Sequence, residues 1–398
     1  MKIYTVLACG VAAAALSLAA LGAQASPGKH SPSGHAPKGN SPSVRSHLDH
    51  VFVIMLENHS KHSVIDQRDS TGALTAPYIT GLAHRYAWAQ NYYGVTHPSQ
   101  PNYIAAITGS NWGIQTDTPT VLDVPNLVDQ LESHGLTWDA YMEAIDTSNK
   151  LAATAPGGTA LYAIKHDPFV LMQDINSNPA RMAHVKPYED LATDLANGTV
   201  GNFVWISPDQ CNDMHGGVYS SVTGRPETPC PYGDAINVDQ ADVSLQHKAD
   251  AFVQRTVEMI MHSPAWTGNS AIFVTADEND FDGNNPSVGS WEDASGCCDS
   301  PVVAAGDTRI SPNWPGGVYG GGHVPAILIT THSRHPFVSK RAYNHYSFLA
   351  TIEKLWHLGY LERVGLKTDH YDPGSDSAAT IFGYRMSPKG SKSLSRKS

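Results

Sequence analysis

The sequence predicts an α/β fold in which helices cover both faces of a mainly parallel central sheet. Three features carry this expectation. Short continuous apolar runs, bounded by polar residues, have the composition of strands buried on both faces. Stretches with helical periodicity separate them, so strand and helix alternate along the chain. At 398 residues, with no internal repeat, the chain is long enough for one large core.

Val51-Phe-Val-Ile-Met-Leu56 is the first predicted strand, and Glu57-Asn58-His59 follow at its carboxyl end, where open α/β sheets place their ligands. Pro77 to Trp88 is predicted to be a helix leading into Gly94–Gly109, GVTHPSQPNYIAAITG. A helix over Asn126–His134 precedes a strand at Thr137–Met142. A helix over Tyr188–Asn197 precedes a strand at Asn202–Ser207, which opens into Pro208-Asp-Gln-Cys-Asn-Asp-Met-His215. Val243–Met261 has helical periodicity, and Ala271–Ala276 is a strand ending in Asp277-Glu278-Asn279-Asp280. The Gly/Ser/Asp-rich excursion from Phe281 to Gly322 is expected to be an insertion that shapes the site. His323, a strand at Pro325–Thr330 and a helix over His345–Leu358 complete the pattern.

Residues 1–25 carry the pattern of a secretory signal: Lys2, an apolar run from Val6 to Leu21, and Ala23-Gln-Ala25 as a small-residue cleavage site. The apolar stretch before Cys9 is too short for a lipoprotein reading, and no other run is long enough to span a bilayer. The expected organisation is a signal at 1–25, a disordered linker at 26–46, a catalytic domain at 47–386 and a disordered basic tail at 387–398. The mature chain is expected to be secreted or periplasmic. It would carry Cys211, Cys230, Cys297 and Cys298 into an oxidising compartment, where two disulfides can form in three pairings. Cys211 with Cys230 would close a local loop, whereas adjacent Cys297 and Cys298 would need a vicinal bridge or separate partners. A net charge of −11 argues against nucleic acid as a partner. Oligomeric state is open.

The chemistry is organised around Ser99. Pro98 and Pro101 exclude regular structure before it but are tolerated in the first turn of a helix, which Asn102-Tyr-Ile-Ala-Ala-Ile-Thr108 continues. Ser99 is therefore expected at a helix N-terminus, where the dipole favours a phosphate or a serine alkoxide. An ordinary capping serine would sit there too. Four apolar strands are expected to be followed by acidic, amide or imidazole side chains: Glu57-Asn58, Asp209 to His215, Asp277-Glu278 and His323. Each cluster alone also fits a solvated loop, but parallel strands would bring all four to one rim with Ser99. Oxygen-rich clusters with a few histidines suit one or two divalent cations such as Mg²⁺, Mn²⁺, Ca²⁺ or Zn²⁺. A metal beside a serine lowers the hydroxyl pKa and polarises a phosphoryl oxygen.

Ser99-Gln-Pro-Asn102, with Thr108-Gly109 nine and ten residues after the serine, resembles the nucleophile segment of the alkaline-phosphatase superfamily. The form HPSQPNY resembles its phosphoesterase family, which contains bacterial and fungal acid phosphatases and phospholipases C. The resemblance covers roughly residues 49–361 and implies an alkaline-phosphatase-like fold. It implies Ser99 as nucleophile, Glu57 and Asn58 as ligands of one metal, and Asp277 and Glu278 as the paired ligands after a late strand. It also implies Asn102 as a phosphate-oxygen contact and His323 as the late metal- or phosphate-binding histidine.

The middle cluster departs from the two-metal pattern, in which an Asp is followed four residues later by His. Here Asp209 is followed at that distance by Asp213, and Asn212-Asp213-Met-His215 resembles the Asn-Asp-x-His segment of the phosphoesterase family. Asp209 and Asp213 are candidate ligands of a second metal. With a single metal, His215 and His323 would contact phosphate or protonate the leaving oxygen. His97, two residues before Ser99, is a candidate contact to the leaving group. His59-Ser60-Lys61 stands where the family's usual Ser-Phe follows Glu-Asn.

The expected function is a secreted, metal-dependent phosphomonoesterase of acid-phosphatase type, acting through a phosphoserine on a small-molecule or lipid-head-group phosphate ester. The runner-up is a phospholipase C or other phosphodiesterase. A module that binds metal or lipid head groups on an inactive scaffold is the non-enzyme alternative, and the retained serine argues against it. A serine acyl-hydrolase lacks its Gly-x-Ser-x-Gly elbow here.

Overall fold

A computed structural model of the chain describes residues 48–155, 161–217, 230–233, 238–280, 294–333 and 335–361. The expected signal, linker and basic tail, and part of the Phe281–Gly322 excursion, lie outside these residues.

The first strand, β1 (Val51–Leu56), is buried at every position, which is why its sequence is apolar without alternation. It lies at the middle of an eight-stranded sheet. The other strands are β2 (Ala87–Tyr93), β3 (Trp138–Met142), β4 (Val185–Pro187), β5 (Phe203–Ser207), β6 (Ala271–Ala276), β7 (Ala326–Thr330) and β8 (Phe337–Asn344), in the order β8-β2-β7-β6-β1-β5-β3-β4. Parallel pairing joins β1 to β5 and β6, β3 to β4 and β5, and β2 to β8. Only β7 is reversed, running antiparallel to both β6 and β2.

That reversal corrects one expectation. His323 does not follow a strand; it precedes β7. Because β7 runs backwards, Ala326 at its start pairs with Thr275 near the end of β6, so the chain before β7 still reaches the rim where β1 and β6 finish.

The helices pack in two groups, as a sheet buried on both faces requires. In one, α2 (Ser99–Thr108) packs against α3 (Leu127–Ser133) and α6 (His345–Trp356). In the other, α5 (Gln240–Met261) packs against α1 (Pro77–Arg85) and α4 (Leu191–Asn197). Capping boxes at Asn126/Asp129 and Asn344/Ser347 start α3 and α6. Pro77 starts α1, whose Tyr78 and Ile79 N–H groups donate to the Asp250 carboxylate of α5. Gly109 ends α2 at φ 74°, a left-handed conformation that explains the Thr-Gly pair.

Three strands differ from the sequence expectation, one of them the three-residue edge strand β4, too short to leave a pattern. The helix expected to reach Trp88 stops at Arg85, and β2 begins two residues later. β8 was not anticipated at all. β2 is only partly buried and rich in Ala, Gln and Asn, and β8 is an edge strand carrying Lys340-Arg341, so neither makes an apolar run. Among the described residues no helix is long and apolar enough to cross a membrane. Cys211 pairs with Cys230, and Cys297 with its neighbour Cys298, resolving the open pairing.

Candidate active site

Ser99 is the first residue of α2 and is buried behind a loop that its own helix holds in shape. Asn102, one turn on, accepts from the N–H groups of Val95 (2.8 Å) and Thr96 (3.0 Å) and donates to the carbonyls of Thr96 (2.7 Å) and Pro98 (3.2 Å). This corrects its expected role. All four of those bonds fasten the 95–98 loop, so the amide faces the backbone and not a ligand. Gly94 lets the loop leave β2, because a Cβ there would stand 2.6 Å from the Asp277 carbonyl oxygen and 2.9 Å from the Gly321 Cα.

Ser99 Oγ donates to Glu278 Oε1 at 3.0 Å and accepts from Lys165 Nζ at 3.3 Å. Its proton therefore points at a carboxylate while an ammonium meets its lone pair.

Glu278 belongs to a buried acidic cluster. Leu56 and Ala276 are partners in the β1–β6 ladder, so Glu57 and Asp277 leave the sheet side by side. Glu57, Asp277 and Glu278 bring carboxylate oxygens within 4.8 Å of one another. Burial pushes Asp277 well above the usual carboxylate range, helped by Glu57 and Glu278, and raises Glu278 against the pull of His97. Burial works the same way on Glu57, but His215, Lys165 and His166 outweigh it and hold that carboxyl well below its usual value.

Glu57 Oε2 and Asp277 Oδ2 are buried without a hydrogen bond, while Glu57 Oε1 faces the His166 ring at 3.1 Å. Orphaned, crowded carboxylate oxygens of this kind fit a hard divalent cation, which would supply the missing charge and the missing partners. Asn58 donates its N–H to Asp277 Oδ1 (3.1 Å) and its amide nitrogen to the Tyr232 hydroxyl (2.8 Å). Its Oδ1 is the side-chain atom with ligating chemistry.

Asp213 and His215 reach the same cluster from the turn after β5. The Asp213 carbonyl accepts the Glu57 N–H (2.9 Å), and its carboxylate accepts the His215 N–H (2.7 Å). His166 lies between carboxylates, with Nε2 3.1 Å from Glu57 Oε1 and Nδ1 3.4 Å from Asp213 Oδ2, and its ring stacks on Tyr103. Burial opposes its charge, but Glu57 and Asp213 prevail and raise its pKa to about 9.

His215 is the opposite case. Burial, reinforced by Lys165 and His166, lowers its pKa to about 4. Its Nδ1 donates to the Gly216 carbonyl (2.7 Å), so Nε2, 3.7 Å from Glu57 Oε2, is left with a bare lone pair. A neutral imidazole in this state presents a lone pair to the acidic cluster.

Three candidates sit elsewhere than expected. Asp209 accepts the N–H groups of Cys211 (2.9 Å) and Asn212 (3.0 Å) and is spent on closing its own turn, outside the acidic cluster. His97 is tied at both nitrogens, Nδ1 2.6 Å from Glu278 Oε2 and Nε2 2.8 Å from Asn279 Oδ1, so it braces the acidic segment instead of facing a leaving group. His323 stacks on Tyr93 with ring centres 4.0 Å apart. Burial, with Lys61 and His62 nearby, lowers its pKa to about 4, and none of its described contacts is to Ser99 or the three carboxylates.

Sequence reasoning missed Lys165, His166, Asp117, Tyr232 and His345. Lys165 and His166 lie in the turn Ile164–His166, which no long apolar strand precedes. The available signal was a charged island, Lys165-His-Asp167, set between Tyr162-Ala-Ile164 and Phe169-Val-Leu-Met172. Asp117 holds Lys165 at 2.9 Å. Tyr232 follows Cys230, whose carbonyl accepts the Gly217 N–H, so the Cys211–Cys230 bridge carries it towards Asn58. His345 holds the Asp277 carbonyl at 2.6 Å. The described part of the excursion also reaches the site, with Tyr319 edge-on to His97 at 5.9 Å.

The profile of the phosphoesterase family matches residues 70–225 and 236–359, which include Ser99, Lys165, His166, Asp213, His215, Asp277 and Glu278. A probable acid phosphatase of Kluyveromyces lactis is 29% identical over 174 residues, covering 41% of this chain and 38% of that protein. A phosphatidylinositol-3-phosphatase of Mycobacterium tuberculosis is 26% identical over 238 residues, covering 59% and 65%. The matched stretches span only 36% to 65% of the lengths of the curated relatives. A crystal structure of a protein in the alkaline phosphatase superfamily from Vibrio parahaemolyticus aligns over 78% of this chain and 67% of that one, at 12% identity and a TM-score of 0.43.

Proposed function

This chain belongs to the phosphoesterase family, and we propose that it is a secreted, metal-dependent phosphomonoesterase whose nucleophile is Ser99. One observation carries the reading: Ser99 Oγ is buried between the Glu278 carboxylate and the Lys165 ammonium, beside carboxylate oxygens that lack partners. A capping serine needs neither neighbour. Relatives named as acid phosphatases and as a phosphatidylinositol-3-phosphatase support a phosphate monoester as substrate. Two disulfides agree with the expected export, since such bridges persist in oxidising compartments.

Glu57, Asp277 and Glu278, with Asn58 Oδ1 and the bare Nε2 of His215, would hold the divalent cation. When bound it would polarise a phosphoryl oxygen and lower the serine pKa. The chain's own groups do the rest. Glu278 Oε1 accepts the Ser99 proton as Oγ attacks phosphorus, and the ester alkoxide leaves on the opposite side. Water then cleaves the phosphoserine, returning the hydroxyl and releasing inorganic phosphate. Protonated His166 keeps Glu57 ionised, and His97 fixes the second oxygen of Glu278.

Hydrolysis of p-nitrophenyl phosphate by the purified chain, after chelation and add-back of single divalent metals, tests this beside Ser99→Ala. Metal-dependent turnover that disappears in the variant is expected. Near-normal turnover by Ser99→Ala would reduce Ser99 to a helix cap.

A further inference from the structure

Resting on the phosphomonoesterase reading, we propose that Lys165 is a catalytic residue that meets a non-bridging phosphoryl oxygen beside Ser99 and selects monoester dianions over diester monoanions. Among the described residues it is the only lysine or arginine within hydrogen-bond reach of Ser99. Its side chain is 15% exposed, its Nζ lies 3.3 Å from Ser99 Oγ, and Glu57 Oε1 is 4.0 Å away.

The ammonium is fixed relative to the serine by a built strut. Asp117 accepts Lys165 Nζ on Oδ2 (2.9 Å) and the Gln100 N–H on Oδ1 (3.0 Å). Gln100 follows Ser99 directly, and its side chain donates to the carbonyls of Thr116 (3.2 Å) and Thr118 (2.8 Å). The loop carrying Asp117 is thus fastened to the turn of α2 that begins at Ser99, and Lys165 is fastened to that loop. Neutralising Asp117 alone would not require this, since that carboxylate is 36% exposed and water could solvate it.

An ammonium has three donors. One goes to Asp117 and one to Ser99, leaving a third for the ligand. An oxygen on a phosphorus that is bonding to Oγ falls within reach of that donor. A monoester dianion spreads two charges over three non-bridging oxygens, whereas a diester spreads one charge over two. The ligand-facing donor therefore gains more from the monoester, and most as charge shifts in the transition state.

The test uses the full chain, Lys165→Met and Asp117→Asn, with p-nitrophenyl phosphate, bis-p-nitrophenyl phosphate and inorganic phosphate as probes. Lys165→Met is expected to lose about 10²- to 10³-fold in kcat/KM on the monoester, as loss of one preorganised donor does, and about tenfold or less on the diester. Its inhibition constant for phosphate should rise at least about tenfold with metal stoichiometry unchanged. Asp117→Asn, which keeps the lysine but loosens it, should weaken phosphate several-fold.

Equal losses on both esters, or unchanged phosphate inhibition in either variant, would overturn the proposal and leave Lys165 as a neutraliser of Glu57. If Lys165→Met does not fold, Asp117→Asn decides alone. Failure of the phosphomonoesterase reading looks different: the unmodified chain then prefers the diester or turns over neither ester, while the phosphate-induced shift in thermal midpoint still reports on Lys165.

Discussion

Replacing Asp277 with asparagine is expected to make the metal-free protein more stable while abolishing its activity. The variant keeps an oxygen for the Asn58 N–H, which Asp277 Oδ1 accepts at 3.1 Å, and hardly changes shape. It removes one of three buried carboxylates whose oxygens lie within 4.8 Å. Two unit charges at that distance repel by about 3 kcal/mol at an effective dielectric of about 20. A repelled carboxyl can take up a proton instead, which limits the net penalty near neutral pH to roughly 1–4 kcal/mol. A gain of about 2 kcal/mol in a core of this size raises the thermal midpoint by about 3 °C. Divalent metal at a hundred times its Kd should add about 2.7 kcal/mol to the unmodified protein and far less to the variant. Scanning calorimetry of both proteins after chelation, then with added Mn²⁺, reads both effects. A metal-free variant melting at or below the unmodified protein would refute the repulsion, and with it the main physical reason for assigning a cation here.

Two further outcomes follow from the same geometry. Gly94→Ala should fold but lose at least about tenfold in metal affinity and in kcat/KM, because the new Cβ displaces backbone at Asp277 or Gly321 and sub-ångström misplacement is costly at a reacting centre; unchanged metal affinity by calorimetric titration would show that the strand end has slack. Asp167→Asn should flatten the fall in stability between about pH 4 and pH 7. Burial lifts the Asp167 pKa to about 7, against the hydrogen bonds it accepts from Val170, Tyr162 and Phe169. The folded state therefore holds this proton more tightly than the unfolded chain. Its contribution is present below about pH 4 and is lost as pH rises towards 7, a span of roughly 4 kcal/mol at most. Thermal midpoints at pH 4.5 and 7.5 check this, and parallel slopes for the two proteins would contradict it.

What the sequence reveals about this fold depends on how each element meets its neighbours. β1 and β6 are buried on both faces, so their sequences are continuous apolar runs, and the residues at their exits were identifiable as a cluster before any coordinates. Glu57, Asp277 and Glu278 belong to that class. Strand direction leaves no such mark, and nothing in Ala326–Thr330 distinguishes an antiparallel neighbour from a parallel one. β2 and β8 escaped notice because partial exposure let polar residues in, and β4 because it is three residues long and ends at Pro187. Asn102 and His97 were correctly placed near Ser99, but the sequence carries no record of which way a polar side chain turns once backbone donors compete for it.

The two sides of the site are held by different kinds of interaction, which bears on how the protein can vary. The carboxylates project from strand ends fixed by the core, where Ile54 and Val274 are fully buried partners, and deleting such side chains costs about 2–5 kcal/mol each. The carboxylate side therefore cannot move without loss of the fold. Lys165 reaches Ser99 from a short turn and is positioned by hydrogen bonds through Asp117 and Gln100, contacts worth about 0.5–3 kcal/mol each. Changes in the 115–118 loop can shift that ammonium while β1 and β6 stay in place. Substitutions there should alter the preference between phosphate esters before they alter stability, whereas substitutions at the strand ends should alter both together.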